Sequence, residues 1–290
     1  MLRQNRNWLA SPIGTELLLS LIGYGRNTNN YLQMSKDLRD LKGYFSKTKL
    51  FLSSEHKLGS SCNIDTEKVD FKKSEAMENI CKWVEGNGIQ NWDIKKYISN
   101  PTKYVLINIS NLKMAWYAGQ SCGSVMTIYN TFSYTEDIKY EARILELPLQ
   151  NKDFKVIILV PNELDVLHKL FNKLIKEGFN AATCSIQPLF TALSELKAPK
   201  IEFQAINQLI LEGNNCDTLP KTCISFGHVK INNNGAFVNC ITCVLSEKST
   251  TQAPSITKKN MEDSCNVKPF LFAINYRDKP IFTGQYVSPE

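Results

Sequence analysis

The sequence has few features of a membrane protein, a secreted protein or a nucleic-acid-binding protein. No apolar run approaches the roughly 18 residues that a membrane-spanning helix needs, and the polar start of the chain lacks the hydrophobic region of a signal peptide. The 34 Lys and Arg residues exceed the 28 Asp and Glu residues, but they form no run of about five or six basic residues. We therefore expect no nucleic-acid or membrane partner and a location in the cytoplasm.

The cysteines are poorly suited to a disulfide framework or a metal site. The nine cysteines are odd in number and scattered, unlike those of small secreted domains, so we expect reduced thiols. Cys240 and Cys243 form the only Cys-x-x-Cys pair, and a zinc site would need a second pair or two matched histidines. If the segment is a strand, these two residues point to opposite faces. We interpret them as small apolar side chains and predict no metal or cofactor.

Local signatures of enzymes carry little weight in this chain. The three histidines lie in no arrangement that suggests a catalytic triad. Ser46 and Lys49 match S-x-x-K, a pattern too frequent to be informative. Gly23 and Gly25 follow a predicted helix, whereas a phosphate-binding loop follows a strand. We therefore predict a protein that is not an enzyme.

Hydrophobic periodicity predicts a mixture of helices and strands. Amphipathic helices are expected over Ser11–Tyr24, Ser74–Glu85 and Asp165–Phe179. Strands are expected over Tyr104–Lys113, Ala142–Leu149, Phe154–Val160, Ser225–Asn232, Phe270–Tyr276 and Pro280–Val287. The last two strands predict a hairpin, because only a short turn separates them. The polar stretch Glu247–Ser264 lies between this hairpin and the strands that precede it. It predicts a long loop, and long loops are commonly functional or disordered.

The stretch that follows Gly235 alternates between two faces. One face carries small or medium-sized side chains, namely Ala236, Val238, Cys240 and Thr242. The other carries Phe237, Asn239, Ile241 and Cys243. The pattern alone favours an ordinary edge strand that leads into a surface loop. The second interpretation is a segment whose small face can enter a packed sheet interior.

The order of motifs along nearly the whole chain resembles the serpin family. The matching segments are NWLASPIGTELLLSLIGYGRNTN, the VDF and WVE segment over 69–94, LINISNLKMAW, ILELPL, VIILVP, APKIEF, PFLFAI and IFTGQYVSP. Each is weak by itself, but together they follow the family's order. The resemblance implies an α+β serpin fold formed by residues 1–290 as a single domain, with three β-sheets, surrounding helices and an exposed reactive-centre loop.

The resemblance also implies a function, which is inhibition of a serine protease by a monomer. A target protease cleaves the loop, the freed segment inserts as a new central strand of the main sheet, and the attached protease is deformed before hydrolysis is complete. The implied hinge residues are Gly235, Ala236, Val238, Cys240 and Thr242. The implied structural residues are Ser11, Asn108 beneath the main sheet and Trp116 at its top.

The position of the cleaved bond depends on how the loop is counted. Counting forward from Gly235 by the family's usual spacing gives Ser249–Thr250, and a loop one residue shorter gives Lys248–Ser249. Counting backward from Pro269 puts the bond several residues later. Lys248 would suit a trypsin-like pocket with an acidic residue, and a cysteine protease stays an open alternative.

Departures from the family pattern suggest both a source and a rival function. The family's usual first helix and parts of its helical region are missing, and this compaction, SCNVKPF and a bias toward Lys, Asn and Ile resemble poxvirus serpins of the leporipoxvirus type. We therefore expect a viral virulence factor that modulates host proteases and aids immune evasion. The family resemblance also allows a location outside the cell. The hinge has Asn233 and Asn234 where acidic residues are usual, and Val238 where Ala is usual. The rival hypothesis is a non-inhibitory binding protein with a serpin fold.

Limited proteolysis tests where the loop lies. We expect the first cut between Glu247 and Asn260, because this polar stretch has no periodic apolar residues to anchor it. Mass spectrometry of the first fragments identifies the bond. A first cut elsewhere, for instance within Ser46–Ser61, would show that the loop is wrongly assigned.

Overall fold

The computed structural model describes residues 6–22, 28–39, 41–56, 64–90, 92–98, 102–117, 125–130, 133–163, 167–183, 194–211, 221–246 and 268–287. The helices in these ranges are α1 Pro12–Leu21, α2 Thr28–Leu38, α3 Ser74–Gly86, α4 Leu167–Glu177 and α5 Phe179–Thr183, with a 3-10 turn at Ile94–Lys96. The strands are β1 Trp8–Ala10, β2 Tyr44–Ser53, β3 Asp65–Val69, β4 Tyr104–Met114, β5 Val125–Asn130, β6 Ser133–Asp137, β7 Ala142–Pro148, β8 Phe154–Pro161, β9 Ser194–Pro199, β10 Ile201–Leu211, β11 Lys221–Asn232, β12 Gly235–Leu245, β13 Phe270–Tyr276 and β14 Lys279–Tyr286. No helix in the described ranges is long and apolar enough to cross a membrane.

The three predicted helices are confirmed as α1, α3 and α4. Ser11 is the N-cap of α1, since its Oγ accepts a hydrogen bond from the Gly14 backbone N–H at 3.1 Å, and Pro12 takes the first helical position. The helix ends at Leu21, earlier than predicted. Gly23 and Gly25, to which its end was assigned, lie outside the described residues.

The six predicted strands are also confirmed, and β13 and β14 form the predicted hairpin. Other elements were not predicted from the sequence, among them α2, β2 and β3. β2 begins with YFSKTK, in which polar and charged residues outnumber apolar ones. Its strand character therefore depends on pairing with β4 on one side and β3 on the other.

The described strands form three sheets, which confirms the predicted α+β class. The first, here called the main sheet, has six strands in the order β10-β11-β12-β4-β2-β3. The second sheet has the order β1-β14-β13-β8-β7-β6, and β5 pairs with β9 in a two-stranded sheet. The pairing of β2 with β3 is parallel, and the other pairings of the main sheet are antiparallel.

The main sheet is buried on both faces around its centre. Its inner face packs on the second sheet in a core that includes Leu112 and Val238 from one sheet and Phe272 from the other. Its outer face is covered by α3, whose Ile80 packs in a second cluster with Ile241 of β12. Burial on both sides explains why the strands at the centre carry apolar residues on both faces.

The interpretation of the stretch after Gly235 as an edge strand is wrong. β12 lies third in the main sheet, between β11 and β4. Ile241 and Cys243, on the face opposite the small side chains, are fully buried. Alternation by itself does not distinguish an edge strand from a central one, because both have the same two-residue period.

Candidate functional site at the centre of the main sheet

β12 is hydrogen-bonded to a neighbour on each side along almost its whole length. The residues from Ala236 to Leu245 have partners both in β11 and in β4, and both pairings are antiparallel. Ten of the 11 residues of β12 are therefore paired on both sides of the strand. Without this strand, the facing edges of β11 and β4 would lose those partners.

The turn between β11 and β12 depends on a glycine. Gly235 has a φ of 131°, a conformation that side-chain-bearing residues rarely adopt. A Cβ atom there would lie 2.0 Å from the carbonyl oxygen of Met114. Trp116 closes the same end of the sheet, since its Nε1 donates to the Asn232 carbonyl oxygen at 2.8 Å. Gly235 and Trp116, both singled out from the sequence, thus lie at one end of the main sheet.

The small face of β12 points into the core between the two large sheets. Ala236, Val238 and Cys240 belong to that core, and Thr242 is 1% exposed. Val238, larger than the residue expected at its position, lies opposite Val229 of β11 and Leu112 of β4 and is fully buried. The core therefore accommodates its extra volume.

Polar side chains cross the inner face of the main sheet in two neighbouring rows. The first row, opposite one another in register, consists of Ser225, Thr242, Asn108 and Thr48. The second consists of Cys240, Ser110 and Ser46. β12 thus contributes one small polar or polarizable side chain to each row. We call these seven residues the polar rows.

Asn108 is the most connected member of the polar rows. Its Nδ2 donates to Thr48 Oγ1 at 2.9 Å and to Ser46 Oγ at 3.1 Å. Its Oδ1 accepts a hydrogen bond from Ser110 Oγ at 2.9 Å. Both ends of this buried amide are therefore satisfied, as a polar group in an apolar core requires.

Helix α1 holds the polar rows against the second sheet. Ser11 caps the helix and also donates from its Oγ to the carbonyl oxygen of Ile281, in β14, at 3.2 Å. One turn into the helix, a Cβ on Gly14 would lie only 2.5 Å from Asn108 Oδ1, so the helix backbone approaches the amide closely. Ser11 and Asn108 are thereby brought into one cluster.

Sequence reasoning missed most members of the polar rows. Ser46 was considered only as part of S-x-x-K, and Thr48, Ser110 and Ser225 were not singled out. A signal was present, because Asn108 and Ser110 are two apart in the otherwise apolar LINISNL, and Ser46 and Thr48 are two apart in β2. Polar residues at a two-residue interval in a buried strand share one face.

The cysteines near the centre of the sheet are unreactive in this conformation. Burial raises the pKa of Cys240 to about 11, although contacts with Ser225 and the Ser11 backbone oppose the shift. Burial likewise raises the pKa of Cys223 to about 12 and that of Cys243 well above its usual range. The thiolate is the reactive form, so these thiols are protonated and shielded at neutral pH. Cys240 faces the inner core and Cys243 the outer cluster, on opposite faces as expected.

The residues predicted to carry the cleaved bond belong to the polar stretch after β12. Lys248, Ser249 and Thr250 lie outside the described residues, as does the rest of the polar stretch over 247–267. Groups of three or more potential metal-ligating side chains are absent from the part of the chain that the structure describes.

Known proteins with similar sequences are serpins. Human Serpin B4 is 26% identical over 95% of this chain and 77% of its own length, and human Serpin B3 is 26% identical over 77% of this chain and 66% of its own length. Antitrypsin of Bombyx mori is 22% identical over 94% of this chain and 82% of its own length. No family model matches the chain.

Solved serpin structures share the fold of this chain. A cleaved serpin 42Da superposes with a TM-score of 0.74 at 17% identity, covering 99% of this chain and 93% of the other. The thermophilic serpin tengpin, in its latent state, gives 0.72 at 17% identity, with 99% and 93% covered. Myxomaviral serine protease inhibitor 1 gives 0.62 at 15% identity, with 83% and 96% covered. The chain therefore has a serpin fold, and the sequence similarities support the serpin family.

Replacing Asn108 tests the polar rows. We expect Asn108→Ala to lower the free energy of unfolding by about 1–3 kcal/mol, because it leaves buried hydroxyl groups without a partner. Lys113→Ala, at an exposed position of the same strand, is the control and should change stability by less than about 0.5 kcal/mol. Denaturant unfolding measures both, and equal effects of the two variants would contradict the role given to Asn108.

Proposed function

We propose that this chain, whose fold is that of the serpins, inhibits a serine protease by loop cleavage and strand insertion. The observation that carries the proposal is the position of β12. It is a central strand of the main sheet, and it directly precedes the polar stretch expected to be the reactive loop. In this proposal Gly235, Ala236, Val238, Cys240 and Thr242 are the hinge.

The described conformation is, in this proposal, the end state of insertion. A strand of 11 residues spans about 36 Å. The connection over 247–267 has about 20 residues and can extend to roughly 70 Å. Its length therefore allows β12 to insert without cleavage. A working inhibitor would keep the segment outside the sheet until a protease cuts the loop, and both a cleaved serpin and a latent serpin are among the similar structures.

Packing supports insertion of this particular sequence. Val238, Ile241 and Val244 are fully buried in β12, and burying each such side chain contributes about 1.5–3 kcal/mol. Overpacking a core costs about 1–3 kcal/mol, so a tight fit at Val238 alone would not outweigh the burial of all three. We infer that the unusual hinge still permits insertion.

The target and source are further parts of the proposal. Cleavage at Lys248–Ser249 would suit a trypsin-like protease, while Ser249–Thr250, a later bond and a cysteine protease target are the alternatives. We propose that the chain acts as a monomeric single domain and is a viral modulator of host proteases, of the leporipoxvirus type, in the cytoplasm of the infected cell or outside it. The similarity in fold to a myxomaviral inhibitor supports the viral part, and the name of the Bombyx mori relative supports a trypsin-like target.

A non-inhibitory binding protein is the second candidate, and one observation favours it. In the described conformation, β12 already occupies the central position between β11 and β4. A protein that is made in this conformation could not use insertion of the same segment to trap a protease. The two candidates therefore differ in whether the segment is outside the sheet before cleavage.

Thermal unfolding before and after loop cleavage distinguishes the candidates. If the segment starts outside the sheet, cleavage should raise the melting temperature markedly, because a fully paired central strand is added. Incubation with a panel of proteases should then also give covalent complexes that survive SDS. An unchanged melting temperature together with no covalent complex would favour the binding protein.

A charge on the small face should convert the inhibitor into a substrate. Ala236→Arg brings a cation into the core between the sheets, which is very costly unless the charge is paired. We expect the loop still to be cut, while the covalent complex and the rise in melting temperature are lost. Phe237→Arg should be much milder, because this half-buried residue lies on the other face.

Asn239→Arg is the cleaner control for this experiment. Asn239 is half-buried on the same face as Phe237, but replacing it does not remove the ring that packs against His228, which is 6.0 Å from the Phe237 ring centre. Equal loss of inhibition in Ala236→Arg and Asn239→Arg would argue against insertion with the small face inward.

A further inference from the structure

We propose that Cys240 and Cys243 are a redox-sensitive pair whose disulfide forms only outside the main sheet and prevents insertion of the hinge. The proposal rests on the proposed function, because it requires a state in which β12 has left the sheet. The pair is a modification site, and its reagent is a small-molecule disulfide such as oxidised glutathione.

The geometry of β12 excludes this disulfide from the inserted state. The two cysteines are three residues apart on one strand, so their Cα atoms lie about 10 Å apart at the usual strand rise. A disulfide needs Cα atoms about 4.4–6.8 Å apart. In addition, Cys240 points into the inner core and Cys243 into the cluster under α3. Forming the bond would therefore require the middle of the strand to bend and leave its neighbours.

The bend would fall in the part of β12 whose side chains are buried on both faces of the main sheet. Thr242, between the two cysteines, lies opposite Asn108, and Cys240 lies opposite Ser110. Ile241, also between them, is fully buried against the outer cluster. A closed ring over residues 240–243 could not present these side chains to opposite faces as a strand does. The disulfide would thus stop insertion partway along β12.

Insertion itself would switch the reactivity of the pair. Within the sheet both thiols are fully buried, and burial raises the pKa of each. In an expelled, hydrated segment the cause of that shift is gone, and an ordinary cysteine pKa of about 8.5 leaves a reactive thiolate fraction near neutral pH. The pair is then open to oxidation only before insertion.

The oxidation is a two-step thiol–disulfide exchange. The thiolate of one cysteine attacks a sulfur of oxidised glutathione, forms a mixed disulfide and releases one glutathione thiolate. The thiolate of the second cysteine attacks the protein sulfur of that mixed disulfide and releases the second. The two cysteines lose two electrons, the oxidised glutathione gains them, and the two protons end on the two released glutathione molecules.

Cys223 is the competing partner that the test must control. It lies in β11 opposite Val244, adjacent in the sheet to Cys243. Its side chain, however, packs in the cluster of Leu18 and Val244, on the face opposite that of Cys243. Cys223→Ser removes this partner and leaves the proposed pair intact.

Peptide mapping tests whether the bond forms. The full chain, purified under reducing conditions, is treated with oxidised glutathione and digested with trypsin after the free thiols are blocked. The peptide from Ile231 to Lys248 contains Cys240 and Cys243 as its only cysteines. We expect this peptide unblocked and lighter by two hydrogen atoms, in the wild type and in Cys223→Ser alike. A link to Cys223, or a peptide with both thiols blocked, would overturn the proposal.

Melting after loop cleavage tests what the bond does. We expect cleavage to raise the melting temperature of the reduced protein, the oxidised protein to lose that rise, and dithiothreitol to restore it. The double variants Cys240→Ala/Cys243→Ala and Cys240→Ser/Cys243→Ala should each keep the rise after oxidant treatment, because neither has a thiol in β12 that could retain glutathione as a mixed disulfide. Two different replacements guard against a folding defect in one.

The outcomes separate this proposal from the proposed function. If reduced wild-type protein shows no rise on cleavage, insertion fails and the redox proposal fails with it. If reduced and oxidised proteins show the same rise although the disulfide is present, inhibition by insertion stands and only the redox proposal is overturned.

Discussion

The pairing of β12 with both β11 and β4 is the constraint on which the rest of the structure depends. It makes the main sheet continuous from β10 to β3. The sheet is thereby one layer that separates the inner core, shared with the second sheet, from the outer cluster under α3. Because both faces of this layer are buried around its centre, the side chains there must suit the clusters that they meet. The small side chains on the inner face of β12 and the apolar Ile241, Cys243 and Leu245 on its outer face meet that requirement together.

Polar groups at the centre of the main sheet help to fix the register of its strands. The polar rows cross four strands, and the Asn108 amide joins β4 to β2 through hydrogen bonds. The close approach of Gly14 to Asn108 and the hydrogen bond from Ser11 to Ile281 connect the rows to α1 and to the second sheet. Since buried polar groups need fixed partners, this arrangement favours one register of the strands over its alternatives.

Local features explain which parts of the fold could be predicted. The start of the first helix at Ser11, the amphipathic face of α3 and the short turn between β13 and β14 are encoded within a few residues, and all three were predicted. β2 and β3 were missed because polar and charged residues interrupt their apolar pattern, such as Lys49, which contacts Glu67 on the neighbouring strand. Their strand character comes from a partner that is distant in sequence, and propensity does not report such partners.

The sequence by itself determined the two faces of the segment after Gly235, because alternation is a property of a single extended chain. It also determined, through the order of motifs, the resemblance to serpins. Only the tertiary structure decided that β12 is a central strand, that Asn108 donates hydrogen bonds to Ser46 and Thr48, and that Cys240 and Cys243 are buried on opposite faces of the sheet. These features depend on pairings among β2, β4, β11 and β12, which lie far apart along the chain, and no local pattern specifies which strand edge another segment will meet.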